Sequence, residues 1–520
     1  MVENRSLSRQ EANAAKREQL DIRPSENLPP RTCAGARRDA GFFCDYVEQY
    51  LTEAGMSYDD ILSGGYTIKT TLDSKLSKIA KQSVESRVAK TEPGVGNSFA
   101  VIRPGQHSHD VLAMVSNRDY GTGDGESLTN QVSGVSNVFG GGSSFKVFTA
   151  AAALETGTAG LDSTLNNPPS LTLYPPNRNR YTPAYTVSNL GSYNPSISLR
   201  SALATSPNTG FVDLESRVGL GKVLKMAQRL GLRKTMQANA YGGDPNAPNA
   251  RKSDNPALNQ PQIKSLRNSL SFTLGVSPVS PLEMANVSAT LMSGGTWCPP
   301  NPIKEIIDRN GNQVQVPQVP CDRAVSKPVA DSLVNGLSQD TVSGTSAAAA
   351  RAAGWTRPDI GKTGTTQTNK SVAFVGGVND YAVTSMVFAD GAETGTICTG
   401  PPVTLDPSGG CGGGFGGTVA APPYFTTFNE ILAGQPSTPI PPADPAFLQA
   451  TPHGPIVPYV VGQSSDSAKQ TLEGAEYQFE IRNLNSPKKR GMVIGQDPQG
   501  NVGKNTPITL YVSTGRVPRF

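Results

Sequence analysis

The segment "FGGGSSFKVF", Phe139–Phe148, restricts the fold more than any other. Three glycines deliver the chain to Ser143 and Ser144, Lys146 follows, and the alanine-rich "TAAAALETG" runs on to a stop at Gly157. Glycines lack a Cβ, so a substrate can approach the backbone closely there. On a helix Ser143 and Lys146 share a face and can touch. A serine hydroxyl is a weak nucleophile until a neighbouring base takes its proton, and burial shifts a lysine toward its neutral, basic form. The first helical turn also has unpaired N–H groups, so the amide of Ser143 can stabilise an oxyanion. An ordinary capped helix start explains these ten residues equally well. The rest of the chain has to decide.

Two further motifs bear on it. "GKTGTT", Gly361–Thr366, holds the sole K-T-G of the chain and stands directly before the strand pair "SVAFVGGV" and "YAVTSMVFA", which turns at Asn379-Asp380. A lysine with adjacent hydroxyls on an edge strand suits recognition of a substrate carboxylate, while strand amides hold an extended backbone, although K-T-G by itself is better explained as an ordinary polar strand entry. S-x-N occurs at Ser25, Ser192, Ser206 and Ser253. Ser206-Pro207-Asn208 lies between helical segments in "ALATSPNTGF", a rigid position. Ser253-Asp254-Asn255 sits in the loop-like stretch 237–263, a poor place to hold a proton relay. A second S-x-x-K, Ser486 to Lys489, reads as a turn.

Other stretches are conventional. "YTIKTTL" alternates as a strand, Asp73 caps a following helix, and "SFAVIRPGQHSHDVLAMVS" reads as two strands about a turn. His107 and His109 lie in or beside that turn and read as solvated rather than metal-binding. "SPLEMANVSATLMSGG" is a helix ending at its glycines, and "GQPSTPIPPADP" is a stiff linker. The six cysteines form three sequence-near pairs, Cys33 with Cys44, Cys298 with Cys321 and Cys398 with Cys411, none at metal spacing. Local disulfides in an oxidising compartment are expected, with free buried thiols the alternative. A net charge of +4 over 520 residues, without a basic stripe, gives no warrant for nucleic-acid binding.

The order Ser143-x-x-Lys146, Ser206-x-Asn208, Lys362-Thr363-Gly364 resembles the penicillin-binding transpeptidases. With "IKTTLD", "GSSFK" and "GKTGTTQTN", the resemblance is to the transpeptidase half of the bifunctional, class A type and covers roughly residues 40–433. It departs in lacking a tryptophan after K-T-G ("KSVAFVGG") and in the long loop 237–263. The resemblance implies an α+β, serine β-lactamase-like fold, an antiparallel sheet flanked by helices. It implies Ser143 as the acylated nucleophile and Lys146 as its base. Ser206 and Asn208 would relay a proton and hold the substrate amide. Lys362, Thr363 and Gly364 would orient a terminal carboxylate, and the N–H groups of Ser143 and Thr365 would form the oxyanion hole. No metal or cofactor is expected; the partners would be peptidoglycan stem peptides and β-lactams. Residues 455–515, with Val457-Pro458, Gln496-x-Pro498 and "LYVSTG", are similar to a PASTA domain of β-α-β-β form, a module that in some proteins binds cell-wall muropeptides. Residues 1–40 then read as a stub from an absent glycosyltransferase domain, 41–433 as the transpeptidase domain and 434–454 as a Pro-rich linker. The expected location is extracytoplasmic, facing the cell wall, with membrane anchoring through a segment outside this sequence.

Overall fold

Runs of apolar side chains build the central sheet of the chain, seen in a computed structural model that describes residues 8–16, 33–174, 184–391 and 394–450 except 249 and 318, then 457–497 and 508–516. Its strands are β1 (Val95–Arg103), β2 (His109–Ser116), β3 (Pro300–Asn301), β4 (Ile360–Thr365), β5 (Ser371–Val378) and β6 (Tyr381–Ala389). Their order is β3-β2-β1-β6-β5-β4, antiparallel except for the two-residue β3, so β4 is an edge strand. Helices α1 (Gly41–Glu53) and α2 (Ser74–Glu85) precede the sheet. Then come α3 (Lys146–Thr156), α4 (Leu199–Thr205), α5 (Asn208–Val218), α6 (Pro281–Met292) and α7 (Ala421–Ile431).

Both faces of the sheet are covered, which is why its strands read as nearly unbroken apolar runs. Phe99, Val101, Val383 and Val387 face a core shared with α2 and the Tyr424, Phe425 and Phe428 rings of α7. Their neighbours Ala100, Ile102 and Ala382 point the other way, onto Leu282, Ala285 and Ala289 of α6 and the rings of Phe42 and Phe43. Helices α3 to α5 form a separate half whose core runs on through Ile360, Ala373 and Met386 into the sheet. Asp73 caps α2 by accepting the Lys75 and Leu76 amides at 3.1 and 3.0 Å. The three expected disulfides, Cys33–Cys44, Cys298–Cys321 and Cys398–Cys411, are all formed. No helix among the described residues is long and apolar enough to cross a membrane.

Three features differ from the sequence reading. Cys33 is buried and bonded to α1, and Arg38 pairs with Asp119 at 2.7 Å, so the body begins inside the expected stub. His109 is not solvated: it is fully buried between Asn286 (2.6 Å) and Ser293 (3.0 Å), and burial pushes its pKa down to about 4. Its partners come from α6 and the turn after it, which no local pattern reveals.

The third difference is the proline-rich stretch, which lies along the body as a strap. Pro436 O accepts Asn379 Nδ2 at 2.8 Å, Gln435 O accepts Arg357 at 2.9 Å, and Pro441 O accepts Asn335 at 3.0 Å. Phe447 O and Leu448 O accept the Leu161 and Asp162 amides at 2.8 and 2.7 Å, while Ile440, Phe447 and Leu448 pack on the core. An extended proline-rich chain leaves its carbonyls unpaired, and here the body supplies the donors. A chain ending at residue 433 is therefore expected to melt roughly 5 °C or more below one ending at 450. Equal melting curves in calorimetry would show that the strap adds no stability.

At the C-terminus, α8 (Ser465–Gly474) packs on a sheet of β7 (Phe479–Leu484), β8 (Val493–Asp497) and β9 (Ile508–Ser513), ordered β7-β9-β8. The leading segment Val457–Val460 joins β8 through a side chain instead of a ladder. Gln496 accepts the Val460 amide at 2.9 Å and donates to Pro458 O at 3.1 Å. Pro498 lies outside the described residues.

Candidate active site

The glycine loop is pressed against the K-T-G strand. A Cβ on Gly142, whose φ is +58°, would lie 2.4 Å from the Thr365 nitrogen, and one on Gly364 would lie 1.9 Å from Gly141 O. Only glycine fits at either position. Residues Gly142–Phe145 make a 3₁₀ turn and the α-helix begins at Lys146, one turn later than the sequence reading placed it. In a 3₁₀ turn residues i and i+3 eclipse, which stacks Ser143 over Lys146 more directly than an α-helix would. Of the two serines, Ser144 is buried and donates to Gly141 O at 2.7 Å. Ser143 is half-buried, and its hydroxyl has no hydrogen-bond partner among the described residues. Behind them Phe145 meets Phe148 and Phe272 with centroids 5.3 Å apart in each case, fixing the turn.

Lys146 is completely buried. Its Nζ lies 2.7 Å from Ser206 O, 3.0 Å from Asn208 Oδ1 and 3.2 Å from Ser206 Oγ. Burial first, and the nearby charge of Lys362 second, hold its pKa well below the usual lysine value. Two of its neighbours are carbonyl oxygens that can only accept. A neutral amine gives them both its protons and keeps its lone pair free. Ser206 ends α4 in the left-handed conformation, φ +66°, and Pro207 leads into α5. Asn208 is held by its Nδ2, which donates to Ser188 O at 3.1 Å, and by its amide, which donates to Asn189 at 2.7 Å.

From the other side comes β4. Lys362 is completely buried and donates to Ser206 Oγ at 2.8 Å, so one hydroxyl stands between two lysine nitrogens. Burial lowers the Lys362 pKa to about 8, with the negative charge of Asp340 opposing the shift. Thr363 is buried and its hydroxyl meets that of Thr345; Thr365 Oγ1 accepts the Gly416 amide at 3.1 Å.

The structure thus brings Ser143, Lys146, Ser206, Asn208 and Lys362 to one place, with Thr363, Gly364 and Thr365 along its edge. Of the competing S-x-N sites, Ser253 is engaged elsewhere. Ser253 Oγ accepts the Asn255 amide at 3.2 Å in its own surface turn, and Ser25 lies outside the described residues. Ser486 is likewise a turn residue, accepting the Lys488 amide at 3.2 Å. Sequence reasoning missed Asp340, Thr345 and Gly416. Nothing in "QDTVSGTSAAAA" or "GGCGGGFGG" sets them apart, because they meet β4 only through tertiary packing.

Residues 105–393 match the family described as penicillin binding protein transpeptidase domain, and residues 455–514 match the PASTA domain. Penicillin-binding protein 1A of Neisseria meningitidis is 29% identical over 302 residues, covering 56% of this chain and 31% of the relative. The chain therefore spans about a third of the length of that relative. PonA1 of Mycobacterium tuberculosis, solved in complex with penicillin V, shares the fold at TM-score 0.58 and 20% identity, over 79% of this chain and 98% of that one. Penicillin-binding protein A of M. tuberculosis, solved as a ceftriaxone acyl-enzyme complex, does so at TM-score 0.51 and 19% identity, over 74% and 86%. The transpeptidase match spans more than half of the chain, and the chain therefore belongs to the penicillin-binding protein transpeptidase family, with a PASTA domain after it.

Proposed function

We propose that this chain is a D,D-transpeptidase that cross-links peptidoglycan stem peptides through an acyl-enzyme on Ser143. The observation that carries the reading is the Ser206 hydroxyl standing between Lys146 and Lys362, beside a serine with an uncommitted hydroxyl. Ser143 Oγ attacks the carbonyl carbon of the terminal peptide bond, and its proton passes to the lone pair of Lys146. The oxyanion that forms is met by the N–H groups of Ser143 and Thr365. As the C–N bond breaks, a proton reaches the leaving nitrogen through Ser206, which is re-protonated from the lysine side. The terminal D-alanine departs. An acceptor amine then attacks the ester, loses a proton by the same route and frees Ser143. Asn208 holds Lys146 and Ser206 in register, and Lys362 and Thr363 receive the donor carboxylate.

Hydrolysis of the same ester would make the chain a D,D-carboxypeptidase, and rapid hydrolysis of a β-lactam ester a β-lactamase. A wall-binding sensor or scaffold has no need for a buried Lys146. Supplying a stem-peptide donor ending in D-Ala-D-Ala together with an amine acceptor tests the reading: cross-linked product supports it, and hydrolysed donor alone supports the carboxypeptidase. Three disulfides suit an exported, wall-facing chain, and the PASTA domain is a candidate holder of muropeptides.

The lysines set an expected pH profile. Burial holds the Lys146 pKa well below the usual lysine value, which favours the basic form, whereas Lys362 loses its charge as the pH rises through about 8. Acylation by benzylpenicillin, followed as a second-order rate constant, should fall above that pH. A profile flat to pH 10 would mean that the charge of Lys362 is not used.

A further inference from the structure

Behind β4 lies a buried carboxylate that the transpeptidase reading does not use. Asp340 is 1% exposed and begins a short helical turn, Asp340–Ser343. Its Oδ1 accepts the Thr345 hydroxyl at 2.6 Å and its Oδ2 accepts the Ser346 hydroxyl. The Thr345 hydroxyl also meets the hydroxyl of Thr363. A hydroxyl carries one proton, and a carboxylate can only accept. The Thr345 proton is thus committed to Asp340, and in the contact between the threonines Thr363 must be the donor. Its proton points into the protein, away from the cleft.

Thr365, two residues on, is polarised the opposite way. Its oxygen accepts an amide from Gly416, and nothing among the described residues takes its own proton, which is left for the cleft. The backbone of Thr345 cannot move aside to release Thr363. Its amide donates to Ala204 O at 3.1 Å, and its carbonyl lies 2.1 Å from where a Cβ on Gly417 would be. The backbone is clamped, the side chain is held by its contacts with Asp340 and Thr363, and the hydroxyl protons can rotate.

We propose that Asp340, acting through Thr345, competes with a ligand carboxylate for the Thr363 proton and so sets how strongly this site favours ligands that carry a carboxylate. The inference rests on the reading above that Thr363 receives that carboxylate. When such a ligand binds, Thr363 turns its proton to it and Thr345 turns its own from Asp340 to Thr363. Asp340 then keeps only Ser346. A neutral ligand draws less on the chain of hydroxyls. Asp340 and Thr345 are positioning residues, and their removal should alter selectivity between ligands, not every rate alike.

The test compares acylation rate constants for benzylpenicillin and its methyl ester. Thr345→Val removes the rival acceptor, and the acid-to-ester ratio should rise about five-fold, the worth of one hydrogen bond. Thr345→Ser keeps the hydroxyl and should keep the wild-type ratio. In a Thr363→Val background, Thr345→Val should no longer move it. If the valine variant does not fold, Thr345→Ala removes the same hydroxyl and carries the same expectation. An unchanged or lowered ratio, or an equal loss with both compounds, overturns the proposal and leaves Thr345 a structural residue. A wild-type protein that does not distinguish acid from ester fails earlier: that result refutes the carboxylate role of Thr363, and the competition with it.

Discussion

Benzylpenicillin is expected to leave one covalent adduct per chain, on Ser143, and the adduct should persist for many minutes after free drug is removed. Acylation needs only the nucleophile, its base and the oxyanion donors, and the structure gathers candidates for all three around the 140–146 turn. Deacylation is a different matter. When a stem peptide reacts, the D-alanine leaves and opens space for an amine. In a β-lactam the severed nitrogen stays tethered to the acyl group and obstructs that approach. Water would have to be placed and activated from elsewhere. Glu215 is buried on α5, where it accepts the Thr273 amide at 3.1 Å, and burial pushes its pKa well above the usual carboxylate value, which disfavours the ionised form. Intact-mass spectrometry should show full labelling of the wild type and none of Ser143→Ala. Multiple turnover with free product would identify a β-lactamase, and an unlabelled but folded wild type an inert pocket.

Ser206→Ala should slow acylation by roughly 10²–10⁴-fold, the usual worth of a positioned proton-transfer group, while Ser253→Ala changes little. The substitution is selective. Lys146 keeps its bonds to the carbonyl of residue 206 and to Asn208, and alanine tolerates the left-handed backbone no worse than serine does. What disappears is the Ser206 hydroxyl, which lies 3.2 and 2.8 Å from the two lysine nitrogens. Stopped-flow acylation with both variants decides the matter. A damaging Ser253→Ala would mean that the loop at 237–263 folds into the cleft during reaction.

The parts of this architecture that could be read from sequence are those governed by short-range rules. Two apolar runs joined at Asn379-Asp380 mark the β5–β6 hairpin residue for residue, and a loop rich in Asn, Pro and Gly is reason enough to set Ser253 aside. Ser143 and Lys146 were readable as a pair because their spacing is local, although the tighter 3₁₀ turn that stacks them was not: it follows from the loop being pressed against Gly364 and Thr365. Asp340 and Thr345 reach β4 only across the fold, so their residue types said nothing about their neighbours. His109 looked like a turn residue because its cover comes from α6. The prolines misled for a physical reason: composition reports stiffness, and it cannot report that Asn335, Arg357 and Asn379 wait along the surface to pair with the carbonyls.

Docking of the strap shortens a leash. Were the whole stretch 434–454 free, its twenty or so residues would let the C-terminal module range over roughly 70 Å. With Leu448 O fastened to the Asp162 amide, covalent length alone limits the separation of residues 450 and 457 to at most roughly 25 Å. A muropeptide gripped by the module would then be confined to a small volume beside the body, and confinement of this kind raises local concentration without any new contact. Were the module to bind a glycan strand, the same fastening would limit how far along it the module could reach.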